Sequence, residues 1–216
     1  MGQKSKFEKD FCEVAQLFPK LNYKRNDKSK SWTIYGKLDI CDNVGDYWDT
    51  FDIAINVSDA YPYCIPLVKE RSKFISREPD WHIDQDGYCC VDIEHKLLIL
   101  KRKGINLAEF IKSKVYPYFA NQVYKKSQND YAAGEYGHNF DGIKQFYVED
   151  LNIKNISLAI DILSRILNHR LPGRNDPCLC GNGKFKNCHF HSVELLKSIS
   201  IEQQRKDLEE FQKLTM

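Results

Sequence analysis

The chain lacks any run of about 18 consecutive apolar residues, the length that crosses a bilayer, so no membrane contact is expected. It has little net charge: 32 basic against 30 acidic side chains leave +2. That balance argues against a protein built to wrap nucleic acid, and no nucleic-acid partner is expected. The opening residues, MGQKSKFEKDF, carry basic side chains with no apolar stretch behind them, so no secretory signal is expected. Lys6 stands where a myristoylation signal requires Ser or Thr. No internal repeat is present, which excludes a solenoid. Together these absences make the cytoplasm the expected compartment.

What is present is enough apolar material for a core, 42% of 216 residues, and an unusual supply of thiols. The length allows one medium domain with an appendage, or two small domains. The eight cysteines are Cys12, Cys41, Cys64, Cys89, Cys90, Cys178, Cys180 and Cys188. A reducing compartment argues against a disulfide framework. Their distribution points three ways. The closely spaced trio near the C-terminus suggests a metal, the adjacent pair suggests catalysis, and the scattered three suggest packing.

Periodicity outlines an α+β chain. Phe7, Phe11, Val14 and Phe18 share one helical face near the N-terminus. Residues 31–41 and 47–57 alternate apolar and polar positions as half-buried strands, with NVGD as the turn between them. A short third strand is expected over 65–69. Residues 106–125 have helical spacing, with Asn106 as cap and Pro117 expected to bend or break the helix. Residues 127–139 read as a loop. Two helices follow, over 141–150 and 156–170. LPGRNDP then marks a boundary. The tail over 193–214 is amphipathic, whereas His95 and His169 have the look of surface residues.

Residues 61–93 carry the first resemblance. A Tyr-Pro pair and a second proline (YPYCIP) close the strand region, and DWHIDQDGYCCVDI follows. This order resembles ubiquitin-conjugating enzymes, over roughly residues 7–126. The resemblance implies an antiparallel meander sheet with flanking helices, and a flap that delivers a thioester-forming cysteine. Gly87 and Cys90-Val91-Asp92-Ile93 match the family's Gly and Cys-Leu-Asp-Ile run, so Cys90 is the implied nucleophile. Side chains of Cys89 and Cys90 on an extended segment point opposite ways. His-Pro-Asn in the family corresponds to Asp80-Trp81-His82 here. His82 therefore stands where the family has the Asn that steadies the oxyanion of aminolysis. A neutral imidazole also donates one N–H, and it could instead serve as a base or lower the thiol pKa. A loop with Gly134-Glu135, His138 and Gly142 resembles one in bacterial conjugating-enzyme relatives from anti-phage operons. It would bring His138 and Glu135 over the cysteine; equally, Asn139 or Asp141 caps a helix there and His138 is solvated.

The second resemblance is PGRNDPCLCGNGKFKNCHF, which is similar to the SEC-C motif. It implies Cys178, Cys180, Cys188 and His189 as ligands of one structural Zn²⁺, with His191 a spare candidate. Gly181 and Gly183 allow the tight turn. Lys184, Phe185 and Lys186 offer a docking surface, though solvated lysines are the commoner outcome. The implied organisation is a ubiquitin-conjugating-like domain over 1–171, and a zinc knuckle with C-terminal helix over 172–216. The implied function is transfer of a protein C-terminus, held as a thioester on Cys90, to an amine. In cyclic-oligonucleotide anti-phage (CBASS) systems that C-terminus belongs to a cGAS-like nucleotidyltransferase; elsewhere it belongs to a ubiquitin-like protein. A catalytically inactive binding variant of the fold, and a thiol peptidase, are the competing expectations.

Overall fold

The alternating segments of the sequence become strands Leu21–Asn26 (β1), Ser31–Cys41 (β2), Tyr47–Val57 (β3) and Leu67–Glu70 (β4). In the computed structural model, which describes residues 5–42, 44–128, 137 and 140–215, they pair in chain order as an antiparallel meander. Ile34 faces Ile55 and Leu38 faces Phe51 across β2 and β3. All four are buried, so the period-two pattern sets the register by sending one face of the sheet to the core. The protein is thus α+β with a four-stranded antiparallel sheet.

Helix α1, Lys6–Leu17, starts with a reciprocal cap. Ser5 Oγ accepts from Glu8 N–H, and Glu8 Oε2 accepts from Ser5 N–H at 2.7 Å. The helix buries Phe7, Phe11 and Val14, and Phe7 stacks on Trp32 at 4.7 Å. Its Asp10 accepts from the Tyr61 hydroxyl at 2.5 Å, which anchors the Tyr-Pro turn against α1. Burial, then the Asp10 carboxylate, drives the Tyr61 hydroxyl well above its ordinary pKa.

Two compact units emerge: Met1–Asp92 with Leu100–Glu135, and Ile93–Ile99 with Tyr136–Met216. Helix α2, Glu94–Lys103, was not expected from the sequence, and neither was β1. Helical residues then run from Leu107–Phe110 (α3) through a π-helical turn at Ile111–Val115 into Tyr116–Gln128 (α4). Asn106 caps this run, its Oδ1 accepting from Glu109 N–H at 2.9 Å. Pro117 does not break it. The wider turn carries Tyr116 N–H to Ile111 O and takes up the strain where proline removes an amide.

The second unit contains helices Phe140–Glu149 (α5), Ile156–Leu167 (α6), Phe190–Lys197 (α7) and Ile201–Lys213 (α8). The amphipathic tail is therefore two helices, with Ser200 capping the second: its Oγ accepts from Gln203 N–H. Phe146 and Tyr147 of α5, Ile162 and Leu163 of α6, Cys178, Phe185 and Leu196 form one buried cluster. Residues after Pro172 share that core with α5 and α6, so compact packing does not part at Leu171. Three further expectations change. Phe185 is 2% exposed and belongs to the core rather than to a docking surface. His95 is fully buried, not on the surface. Cys12 is exposed, and Cys41 and Cys64 are half-buried, so none of the scattered thiols is a core residue. No helix among the described residues is long and apolar enough to cross a membrane.

Candidate nucleophile and candidate metal centre

In the first unit the flap after β4 is a short irregular hairpin fastened to the sheet. Glu70 N–H donates to Gly87 O at 2.9 Å, and Cys89 N–H donates to Val68 O at 2.9 Å. Asp84 makes the turn: its Oδ1 accepts from Tyr88 N–H at 2.8 Å, and its carbonyl accepts from Gly87 N–H at 3.0 Å. Gly87 sits at φ +89°, and a Cβ there would meet Glu70 O at 2.7 Å, so only glycine fits. Beneath lies Glu70, 1% exposed, paired with Arg77 Nη2 at 2.6 Å.

Cys90 follows this hairpin with its side chain exposed. Its N–H donates to His82 O at 2.8 Å, which ties the two sequence-matched positions by backbone. The carbonyls before it are gripped by α4. Tyr118 hydroxyl reaches Trp81 O at 3.1 Å and His82 O at 3.2 Å, and Gln122 Nε2 donates to Trp81 O at 3.3 Å. Lys125 bonds Asp80 O and lies 5.1 Å over the Trp81 ring. His82 itself is at φ +48°, a left-handed conformation that His and Asn adopt far more readily than most residues.

Cys89 differs from its neighbour. It is half-buried, and desolvation pushes its thiol up to about 12, against smaller opposing hydrogen bonds from Tyr118 and Glu70. At neutral pH it is a thiol, not a thiolate, and a poor nucleophile. Lys114, in the π-helical turn, pairs with Asp92 at 2.6 Å, two residues past Cys90. Nothing in the sequence marks this pair, because a lysine in a helical run reads as solvated. His138, with Gly134 and Glu135, lies outside the described residues.

In the second unit, Cys178, Cys180, Cys188 and His189 converge, with all four ligand atoms within 4.8 Å of one another. Cys178 N–H donates to Gly183 O, and Gly181 N–H donates to Cys178 O, each at 2.8 Å. Gly181 and Gly183 take φ +80° and +79°, the left-handed bends that fold the loop back on itself. Asn182 N–H points at Cys180 Sγ, 3.4 Å away. Cys180 and Cys188 sulfurs are 3.4 Å apart, and His189 Nδ1 lies 3.3 Å from Cys178 Sγ and 3.2 Å from Cys188 Sγ. Metal bonds of roughly 2.3 Å to sulfur and 2.0 Å to nitrogen span tetrahedral edges of roughly 3.5–3.8 Å, close to this arrangement. His191 is exposed and outside the cluster.

The chemistry of the donors fits a cation. Burial opposes ionisation of Cys178, but hydrogen bonds from the Cys180 backbone and the His189 ring carry its thiol down to about 6. Cys188 moves the other way: burial and its sulfur neighbours push it up to about 12. Cys178 and Cys188 are thus pulled in opposite directions, and a dication among the sulfurs would remove the conflict. The imidazole is also prepared. His189 Nε2 lies 3.1 Å from Asn152 O, an acceptor that can hold the ring N–H at Nε2 when a metal displaces the proton from Nδ1. Asn152, in the α5–α6 connection at φ +53°, carried no mark in the sequence.

A buried polar network was also missed. Asp207 Oδ2 lies 2.7 Å from His95 Nε2 and accepts from Tyr147 hydroxyl at 2.8 Å. Gln203 Nε2 donates to Asp207 Oδ1 at 2.9 Å. It joins α2, α5 and α8 inside the second unit.

Comparison with family models, with curated proteins and with solved structures gives no match. The four clustered residues could hold a metal ion.

Proposed function

We propose that the protein is a ubiquitin-conjugating-like acyltransferase with a structural Zn²⁺ site. Cys90 carries a protein C-terminus as a thioester and passes it to an amine. The observation that carries this reading is the pairing of one exposed and one protonated cysteine on a flap pinned to a four-stranded meander. Cys90 attacks the carbonyl of a C-terminus already activated as a thioester or acyl-adenylate. The bond to the activating thiolate or AMP breaks and that group leaves, and the Cys90 thiol proton passes to solvent or base. An amine then attacks the thioester carbonyl, an oxyanion forms, the nitrogen gives up a proton to solvent, and the C–S bond breaks to leave an amide and the Cys90 thiolate. His82 donates to the oxyanion, the task of the family's Asn. The acyl donor in this reading is the C-terminus of a cGAS-like nucleotidyltransferase of an anti-phage system, or of a ubiquitin-like protein. Cys178, Cys180, Cys188 and His189 hold the zinc, which supplies fold and no chemistry, because a four-ligand site has no open position.

A second reading is an inactive conjugating-enzyme variant that binds its partner through the same fold. His82 in place of Asn favours it. Denaturing, non-reducing electrophoresis of cell lysate separates the two. The transferase gives an adduct that dithiothreitol removes and Cys90→Ala abolishes; the adaptor gives none.

A further inference from the structure

The metal loop is unevenly protected. Cys178 and His189 are buried, 4% and 5% exposed, whereas Cys180 and Cys188 are only half-buried. The two half-buried thiols open onto a cleft of about 560 Å³, which Leu158, Leu179 and Asn182 also line. Their sulfurs stand 3.4 Å apart. A disulfide bond is about 2.05 Å long, so a movement of little more than 1 Å joins them. The loop between them has room for it, because nothing lies within 4 Å of the Cβ positions at Gly181 and Gly183.

We propose that Cys180 and Cys188 are an oxidant-sensitive catch on the metal: a peroxide links them as a disulfide and the ion leaves. The inference rests on the metal site proposed above. One thiolate attacks a peroxide oxygen and the O–O bond breaks, giving a sulfenic acid and hydroxide. The second thiolate attacks the sulfenic sulfur, the S–S bond forms, and a second hydroxide departs. Two thiolates lose two electrons, and hydrogen peroxide with two protons becomes two waters. Cys178 and His189 alone hold the ion too weakly to keep it. Cys178 stays out of the disulfide because its sulfur is the buried one. The cleft admits a small neutral oxidant to the pair that faces it.

The test uses the full chain loaded with Zn²⁺, treated with hydrogen peroxide. Released zinc is read with a chromogenic chelator. Disulfides are mapped by mass spectrometry of a digest after free thiols are blocked. The expected result is release of one zinc per chain, in step with linkage of Cys180 to Cys188. Dithiothreitol and fresh zinc restore the starting state. Zinc retained while the exposed Cys90 is oxidised overturns the proposal, as does release with Cys178 in the bridge or with no bridge formed. A chain that takes up no zinc at the outset sinks the metal reading itself, and this inference with it. A chain that holds zinc and keeps it under peroxide sinks the inference alone.

Discussion

In the first unit two adjacent cysteines diverge along an extended segment; in the second, three cysteines and a histidine from a glycine-bent loop converge within 4.8 Å. The chemistry follows from the backbone. Extended chain sends Cys89 inward, where desolvation holds it as a thiol, and leaves Cys90 outside. Left-handed bends at Gly181 and Gly183 return the chain on itself, so that thiols meet and contest one another's ionisation. The same side chain thus supplies a candidate nucleophile in one place and a candidate cage in the other. The deciding factor is whether neighbours are kept apart or brought together.

The largest effect separating the two regions should come from metal removal. Structural zinc sites contribute about 10–16 kcal/mol of apparent binding free energy in small modules. Cys178 and Phe185 belong to the same buried cluster as α5 and α6. Chelation should therefore loosen the whole second unit, seen as lost amide protection over 140–215, while Cys90 stays reactive to alkylating agents. Protection surviving in α5 and α6 would show that their packing is independent of the loop.

The nucleophile side is sharpened by exchanging the pair. Cys90→Ala should abolish the adduct and Cys90→Ser should trap it as an oxyester, with Cys89→Ala close to wild type. With Cys89 at about 12, only about one such thiol in 10⁴ is ionised at pH 8. Iodoacetamide should therefore label Cys90 far faster than Cys89. Adduct kept in Cys90→Ala and lost in Cys89→Ala reverses the assignment. The same burial has a stability consequence. A thiol pKa raised in the folded state stabilises the fold fully below its unfolded value near 9. That contribution is lost as pH climbs towards 12, and an alkaline titration of the first unit's unfolding midpoint should fall over that window.

Inside the second unit, Asp207→Ala strips the partner from His95 and Tyr147 at once. Leaving those two buried groups without their partner costs about 1–3 kcal/mol each, measurable as a lower urea midpoint. Tyr147→Phe, which removes one hydrogen bond, should cost about 1 kcal/mol. Equal losses would mean that Asp207 is not the hub.

The finest probe is His82. His82→Ala should slow transfer by about 10²–10³ while thioester accumulates. His82→Asn should restore part of the rate, since its amide donates and asparagine tolerates φ +48°. Thioester formation blocked in His82→Ala would make the imidazole an activator of the thiol instead.

The strands with a buried face were legible because alternation reports burial: 31–41 and 47–57 became β2 and β3 almost residue for residue. β1 was not, because only Leu21 of its six residues is buried and an edge strand with five exposed side chains has no period to show. α2 hid for a related reason. It buries His95 and Leu97, a polar and an apolar residue, so its apolar stripe is broken. His95 looked like a surface residue because its partner, Asp207, stands 112 positions away. The metal ligands were legible because one loop supplies them all. The Asn152 carbonyl behind His189 was not, because a backbone acceptor has no letter of its own.

The π-helical turn at Ile111–Val115 leaves one further consequence. A turn of this kind contains one residue more than the helix around it requires. Every residue after it is therefore turned by about 100° from the direction it would take if that one residue were absent. In effect the segment is a vernier: one supernumerary residue resets the angular origin of everything after Tyr116. Tyr118 and Gln122, which grip the Trp81 and His82 carbonyls, take their direction from that reset. Deleting a single residue from 111–115 would leave the helix intact but turn those two side chains away from the flap.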